Sequence, residues 1–219
     1  VDGAADLEWD AARRRNTWTF GAPDQKGEPF EIPLIQRAAI TGTTVRYRDP
    51  GMRISADIGI GSIGAKNSQF ANSIRFAGNG TARGNPFRLW GAQTSPNEVL
   101  AGGKNQFELH VDAARSRIDV AGTLPGATVV EGADLRVGVR GQNLRTLFDL
   151  AGIAVPDTRA YRLRSHMTKA GNEYRFTRIV GSYGNSDIGG RMTVRMPTDP
   201  DARTFLSANL ASRRVDMVD

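Results

Sequence analysis

The sequence contains no cysteine and only two histidines. Without cysteine, no disulfide framework can hold the fold together, and either redox compartment is permitted. His110 and His166 have no cysteine, histidine or carboxylate partner at a spacing typical of metal ligands, so we interpret both as solvent-facing strand residues. No metal and no cofactor are therefore predicted.

Long apolar runs are also missing. No segment approaches the roughly 18 to 20 consecutive apolar residues that a membrane-spanning helix requires. The chain does not open with the charged and then apolar pattern of a signal peptide. No membrane-spanning helix is therefore predicted within the sequence.

Lysine is scarce, yet the chain is basic. It has 29 lysines and arginines against 23 acidic residues, which gives a formal net charge of +6. Most of the basic residues are arginines, spread along the whole chain opposite the apolar positions. Because no arginine cluster is interleaved with stacking aromatic residues, this pattern favours a solvated sheet face over a nucleic-acid interface. A weak attraction to anionic lipid headgroups stays open.

Alternation of apolar and polar residues runs through most of the chain and indicates a β-sheet with one apolar face. Turn residues recur about every 8 to 12 positions, as in a β-meander. The apolar share of 39% is low for a compact globule and suits an open sheet. The sequence therefore predicts a mainly β fold over residues 1–219, one domain in which a long, strongly curved antiparallel sheet of successive hairpins forms an open groove.

One short helix interrupts the strands near residues 143–151. Asn143 is suited to cap its first turn, and Gly152 suits the left-handed position that ends it. Earlier in the chain, residues 17–20 read as a strand and residues 21–33 as a loop. Residues 39–47 and 52–60 read as a hairpin.

Several residues resemble parts of catalytic or cofactor motifs without the required context. Residues 59–64 fit the fingerprint G-x-G-x-x-G, but the polar segment after them lacks helical periodicity. Ser186 leads into a strand, whereas a nucleophile elbow leads into a helix. Four carboxylates beside turns or helix ends suit capping and form no acid–base pair: Asp134, Asp149, Asp157 and Asp187. We therefore predict that the chain is not an enzyme.

The apolar positions are the remaining candidates for function, because continued alternation would place them on one face. They could form a packed sandwich or barrel core. Alternatively, they line a curled sheet whose single helix cannot fill the hollow, and an open trough accepts acyl chains at about 0.8 kcal/mol per buried methylene. The candidate groove residues are Ile54, Ile58, Phe76, Leu109, Val111, Leu135, Val137, Val139, Leu163, Met167, Tyr174, Phe176, Met192 and Val194.

Residues 133–219 resemble the C-terminal region of AsmA-family proteins of Gram-negative bacteria. Three features carry the resemblance: the short helix closed by Gly152 and Pro156, the turn and strand start at 181–190, and the segment 210–216. The matching stretches read VRGQNLRTLFDLAGIAVP, YRLRSHMTKAGNEYRFTRIVGSYGNSDIGGRMTV and FLSANLASRRVDMVD. The first half is similar in style only.

The resemblance implies a periplasmic protein tethered to the inner membrane, with an anchor outside this chain, which we expect to be a fragment. It also implies a groove that carries phospholipid acyl chains between the membranes and assists outer-membrane biogenesis. In such a trough Val137 and Phe176 would both tolerate a charge, and rim arginines, Arg162, Arg164 and Arg175, would select anionic headgroups. The alternative is a scaffold that assists outer-membrane protein assembly through strand edges or surface contacts.

Overall fold

A computed structural model describes residues 3–10, 15–16, 41–50, 53–63, 73–95, 99, 102, 104–126, 131–150, 152–197 and 204–216. The strands are β1 Ala4–Asp10, β2 Arg15–Asn16, β3 Thr43–Asp49, β4 Ile54–Ile63, β5 Ser73–Ala82, β6 Asn85–Thr94, β7 Gln106–Ala113, β8 Ser116–Thr123, β9 Asp134–Gly141, β10 Tyr161–Ala170, β11 Glu173–Tyr183, β12 Ser186–Arg195 and β13 Phe205–Ala211. A helix, α1, spans Leu144–Asp149.

All strands belong to one sheet of 13 strands, in the order β13 to β3 followed by β1 and β2. The two-residue β2 is attached only to β1. Neighbouring strands pair antiparallel, and β9 and β10 do so across the connection that contains α1. The exception is β1, which pairs with β3 in parallel; the predicted purely antiparallel sheet did not include this pair. Within the described chain the two outermost strands do not pair with each other. The mainly β fold and the open sheet are confirmed, whereas the strand and loop predicted at 17–33 lie outside the described residues.

The strand register sorts side chains onto two faces, because residues directly opposite on neighbouring strands point to the same side. Val111 lies opposite Ile118, which lies opposite Val139, which lies opposite Leu163. Rows of this kind place all fourteen candidate groove residues on one side of the sheet, which we call the apolar face. The other side is the outer face.

Glycines show which way the sheet bends. Six apolar-face glycines lie so close to a carbonyl oxygen of a neighbouring strand that an added Cβ would approach it closer than 3.0 Å: Gly78, Gly80, Gly91, Gly122, Gly181 and Gly190. On the outer face, the same construction leaves 3.6 Å at Gly59 and 3.9 Å at Gly138. Because the backbones crowd together on one side only, the sheet curls toward its apolar face.

A β-bulge in β11 corrects the alternation that the sequence suggests. The register shifts between Phe176 and Ile179, so Ile179 and not Val180 continues the apolar face. Ile179 is 7% exposed and Val180 is 58% exposed. Unbroken alternation would have carried Arg178 onto the apolar face, but this residue lies in the bulge with a φ of +52° and is exposed. The bulge thus keeps a charge off that face.

The helix follows the last residue of β9, at one end of the strands. As predicted, the Asn143 side chain caps α1 by accepting from the Arg145 N–H, and Gly152 has a φ of +71°. Thr146 Oγ1 donates to the carbonyl of Ala114 in the β7–β8 turn at 3.1 Å. We call this row of strand ends, which includes Ala113, Gly141 and Tyr161, the helix-side rim.

Two of the segments that carried the family resemblance meet at the same rim. Asp187 Oδ1 accepts hydrogen bonds from Ser212 Oγ at 2.7 Å and from the N–H groups of Arg213 and Arg214 at 2.9 and 2.8 Å. The hydrogen bond from Ser212, followed by those from the backbone, holds the pKa of Asp187 below its usual range. The carboxylate therefore stays ionised at neutral pH and anchors the segment after β13, which confirms its predicted role of binding backbone donors.

Candidate binding face

The apolar face carries almost no charge along the described strands. The register places only two charged side chains on it between β3 and β13: Asp49 at the helix-side rim, and Lys169 near the opposite strand ends. Asp49 accepts a hydrogen bond from Tyr47, and Lys169 pairs with Glu131 at 3.0 Å. The surface between these two ends is formed by aliphatic, aromatic and small residues. Such a face offers packing contacts and no polar selectivity.

All described strands belong to one hydrogen-bonded sheet, so no second sheet packs on this face in the part of the chain that the structure describes. Close backbone contacts are extensive only between strands that are neighbours in that sheet. Most candidate groove residues are accordingly half-buried, including Phe76 and Phe176. The rings of Phe76 and Phe107 stack with centroids 6.1 Å apart. The face is therefore an aromatic and aliphatic surface that is open to a ligand.

One part of the face is already closed by its own side chains. Leu135 is 3% exposed and Val137 is 8% exposed. Leu135 belongs to a small cluster with Leu124 and Ala133, against which Phe107, Val120 and Met167 pack. The expectation that Val137 lines an open trough in the same way as Phe176 is therefore wrong, because Val137 is buried whereas Phe176 is half-buried.

The three arginines expected at one rim lie apart on the outer face. Arg162 is next to the helix-side rim, Arg175 is near the opposite strand ends, and Arg164 lies between them. Arg175 pairs with Glu173. These three residues consequently do not form a single headgroup site.

Both histidines lie on the outer face, as expected, but each has a carboxylate partner that the sequence did not reveal. His110 Nδ1 is 2.6 Å from Asp119 Oδ1, and His166 Nδ1 is 3.4 Å from Asp134 Oδ1. Asp119 and Asp134 are brought close by strand pairing. On its own strand, His110 also has Glu108, whose Oε1 lies 3.7 Å from His110 Nε2. Among the described residues, no group of three or more histidine, aspartate or glutamate side chains is arranged to hold a metal ion.

Arginines stand in a row on the outer face beside the helix-side rim. Arg117, Arg140 and Arg162 lie directly opposite one another on β8, β9 and β10. Of these three arginines, only Arg117 has an acidic partner within the described part of the chain: it donates to Asp112 from Nε at 2.7 Å and from Nη2 at 2.8 Å. The hydrogen bond from Arg117 lowers the pKa of Asp112, so this carboxylate is ionised at neutral pH. Arginine is spread evenly in the sequence, so only the register reveals this row.

Comparison with known proteins yields no relative: no protein-family model, no curated protein and no solved structure matches the chain. The resemblance to the AsmA family therefore rests on the sequence motifs. Among the described residues, no helix combines the length and the apolar character needed to cross a bilayer.

Proposed function

We propose that this chain is a lipid-binding β-groove whose apolar face holds the acyl chains of phospholipids. The observation that supports the proposal best is the segregation of the two faces. Apart from Asp49 and Lys169 at its two ends, the charged side chains of strands β3 to β13 lie on the outer face, while the side toward which the sheet curls is apolar and carries no second sheet in the described chain. An uncovered apolar surface of this extent is typical of a binding site.

The size of the face suits an extended apolar ligand. From β3 to β13 it crosses ten strand-to-strand steps of about 4.8 Å each, or about 50 Å. Burying about ten methylenes there gains about 8 kcal/mol relative to water. Because an acyl chain in a bilayer is already out of water, exchange between membrane and groove is nearly balanced, as a carrier requires.

More particularly, we propose that the chain is a segment of an AsmA-like protein that carries phospholipid between the inner and outer membranes and supports outer-membrane biogenesis. The periplasmic location and the tether to the inner membrane come from the sequence resemblance alone. The role that we propose for the face is binding, because its apolar side chains offer packing contacts to an acyl chain.

Replacing Phe176 by aspartate should reduce uptake of fluorescent phosphatidylcholine at least about fivefold while the protein stays folded. Phe176 is half-buried on the uncovered part of the apolar face, so a carboxylate there stays hydrated in the empty protein but opposes an acyl chain. Uptake is measured by fluorescence and folding by a thermal melt.

The matched control is Val180→Asp, on the same strand but on the outer face, where Val180 is 58% exposed. It should leave uptake unchanged. Equal loss in both variants, or undiminished uptake in folded Phe176→Asp, would exclude the apolar face as the acyl site.

A second candidate function is scaffolding through the sheet edge at β13. This strand pairs only with β12 in the described chain, and Phe205 and Leu210 are 55% and 45% exposed. An unpaired edge is a template for another strand. A photoreactive residue at Ser207 that captures a protein strand, with no lipid captured from the apolar face, would favour this function over the groove.

A further inference from the structure

The row of arginines at the helix-side rim has an energetic cost. Arg117, Arg140 and Arg162 occupy directly opposite positions on three adjacent strands, about 4.8 Å apart from strand to strand. Like charges at such positions destabilise a sheet. The first of them is neutralised by Asp112, which also lies 3.6 Å from Arg88. The other two are not offset in this way.

Arg140 and Arg162 make no ion pair and no side-chain hydrogen bond with any residue in the described part of the chain, and neither does Arg115 in the nearby β7–β8 turn. Arg115 holds a φ of +56°, a conformation uncommon for a residue with a side chain. Three guanidinium groups without a partner among the described residues thus gather around one place on the rim.

The place is a recess of about 780 Å³ that is open to solvent. Its lining includes the four arginines 115, 117, 140 and 162, and its one acidic residue is Asp112, so its formal charge is +3. The recess also reaches Gly141 and Tyr161, which end the apolar face at this rim. The Tyr161 hydroxyl donates to Ser116 Oγ at 2.8 Å and fixes this corner. The recess therefore joins a basic surface to the end of the apolar face.

We propose that this recess binds a phosphate group, as a monoester or a diester, with Arg140 and Arg162 as the principal ligands and Arg115 as a third. Guanidinium groups bind phosphate oxygens through paired N–H donors. A bound phosphate also removes the repulsion between Arg140 and Arg162. The proposal of a phosphate site does not depend on the proposed lipid function. If that function also holds, the ligand is a lipid headgroup whose chains continue over the apolar face.

The test compares Arg140→Gln/Arg162→Gln with the control Arg136→Gln/Arg191→Gln. The control removes two outer-face arginines that also lack partners in the described chain, and it changes the net charge equally. Two probes are used at low salt: glycerol 3-phosphate by calorimetry, and phosphatidylcholine vesicles with or without phosphatidylglycerol by co-sedimentation.

The site variant should weaken binding of glycerol 3-phosphate or of phosphatidylglycerol vesicles at least about tenfold, and the control should weaken it less than about twofold. Without ligand, the site variant should melt about 1 to 3 °C higher, because like-charge repulsion is relieved. A higher melting temperature of the site variant would also show that its loss of binding is not caused by unfolding.

The two probes distinguish the source of the phosphate. Binding of both probes to the parent protein would show that the site accepts free phosphate esters, whereas binding of the vesicles alone would show that the ligand is a lipid headgroup. Either result supports the site if the site variant loses this binding and the control does not.

Equal loss of binding in the two variants would show that only the net charge matters, and it would overturn the proposal. Unchanged binding in the site variant would also overturn it. A single-stranded oligonucleotide that outcompetes both probes and binds both variants equally would also overturn it. Uptake of neutral phosphatidylcholine tests the acyl site separately, so the two proposals can fail independently.

Discussion

Replacing Val137 by aspartate is expected to abolish folding. Val137 is 8% exposed and lies between Val120 on β8 and Ser165 on β10 on the apolar face. None of these neighbours offers a positive charge, and an unpaired buried carboxylate costs several kcal/mol. The whole stability of a domain is about 5 to 15 kcal/mol. We expect insoluble protein, or a melting temperature lower by more than about 10 °C.

Val180→Asp is again the control, because it makes the same exchange at a residue that is 58% exposed on the outer face. Its melting temperature should stay within about 2 °C of that of the parent protein. A soluble Val137→Asp protein with a normal melt would show that the centre of the apolar face is wet, contrary to the packing around Leu135.

Gly78→Val should destabilise the protein by about 3 kcal/mol. Gly78 is on the apolar face, and an added Cβ would collide with the backbone of β4 at Asp57 and Ile58. No flexible side chain can move aside there, so the two strands must separate or the sheet must flatten, and overpacking of this kind costs about 1 to 3 kcal/mol or more. The free energy of unfolding from urea titration measures the effect.

Gly138→Val is the matched control, since Gly138 is in a strand interior on the outer face and its added Cβ would come no nearer than 3.9 Å to Asp119. Because valine favours strands, this variant should be neutral or slightly stabilising. If both valines destabilise equally, crowding is not restricted to the apolar face and the sheet does not curl toward it. The pair thus tests the curvature without a ligand.

Local periodicity was sufficient to predict much of the fold. The alternation around Val137 and Val139, the cap at Asn143 and the left-handed Gly152 are all properties of neighbouring residues, and the structure confirms them. The sequence also predicted that the apolar residues share one face, because alternate residues of a strand stay on the same face when the chain turns back in a hairpin.

What the sequence did not predict depends on pairing between strands. The bulge before Ile179 moves the later residues of β11 to the face opposite to the one that alternation predicts, and no residue type near the bulge indicates this shift. The pairing of His110 with Asp119 and the opposition of Arg140 and Arg162 need the register. The burial of Val137 depends on how far the sheet curls, which alternation does not encode.

We propose that acyl chains lie on the apolar face. Their position can be measured with a photoreactive amino acid placed at Phe176, and separately at Val180, in protein illuminated with phospholipid vesicles. The two positions are on one strand and on opposite faces. We expect lipid adducts, identified by mass spectrometry, from position 176 and none from position 180. Adducts of equal yield at both positions, or protein adducts alone at position 176, would contradict it.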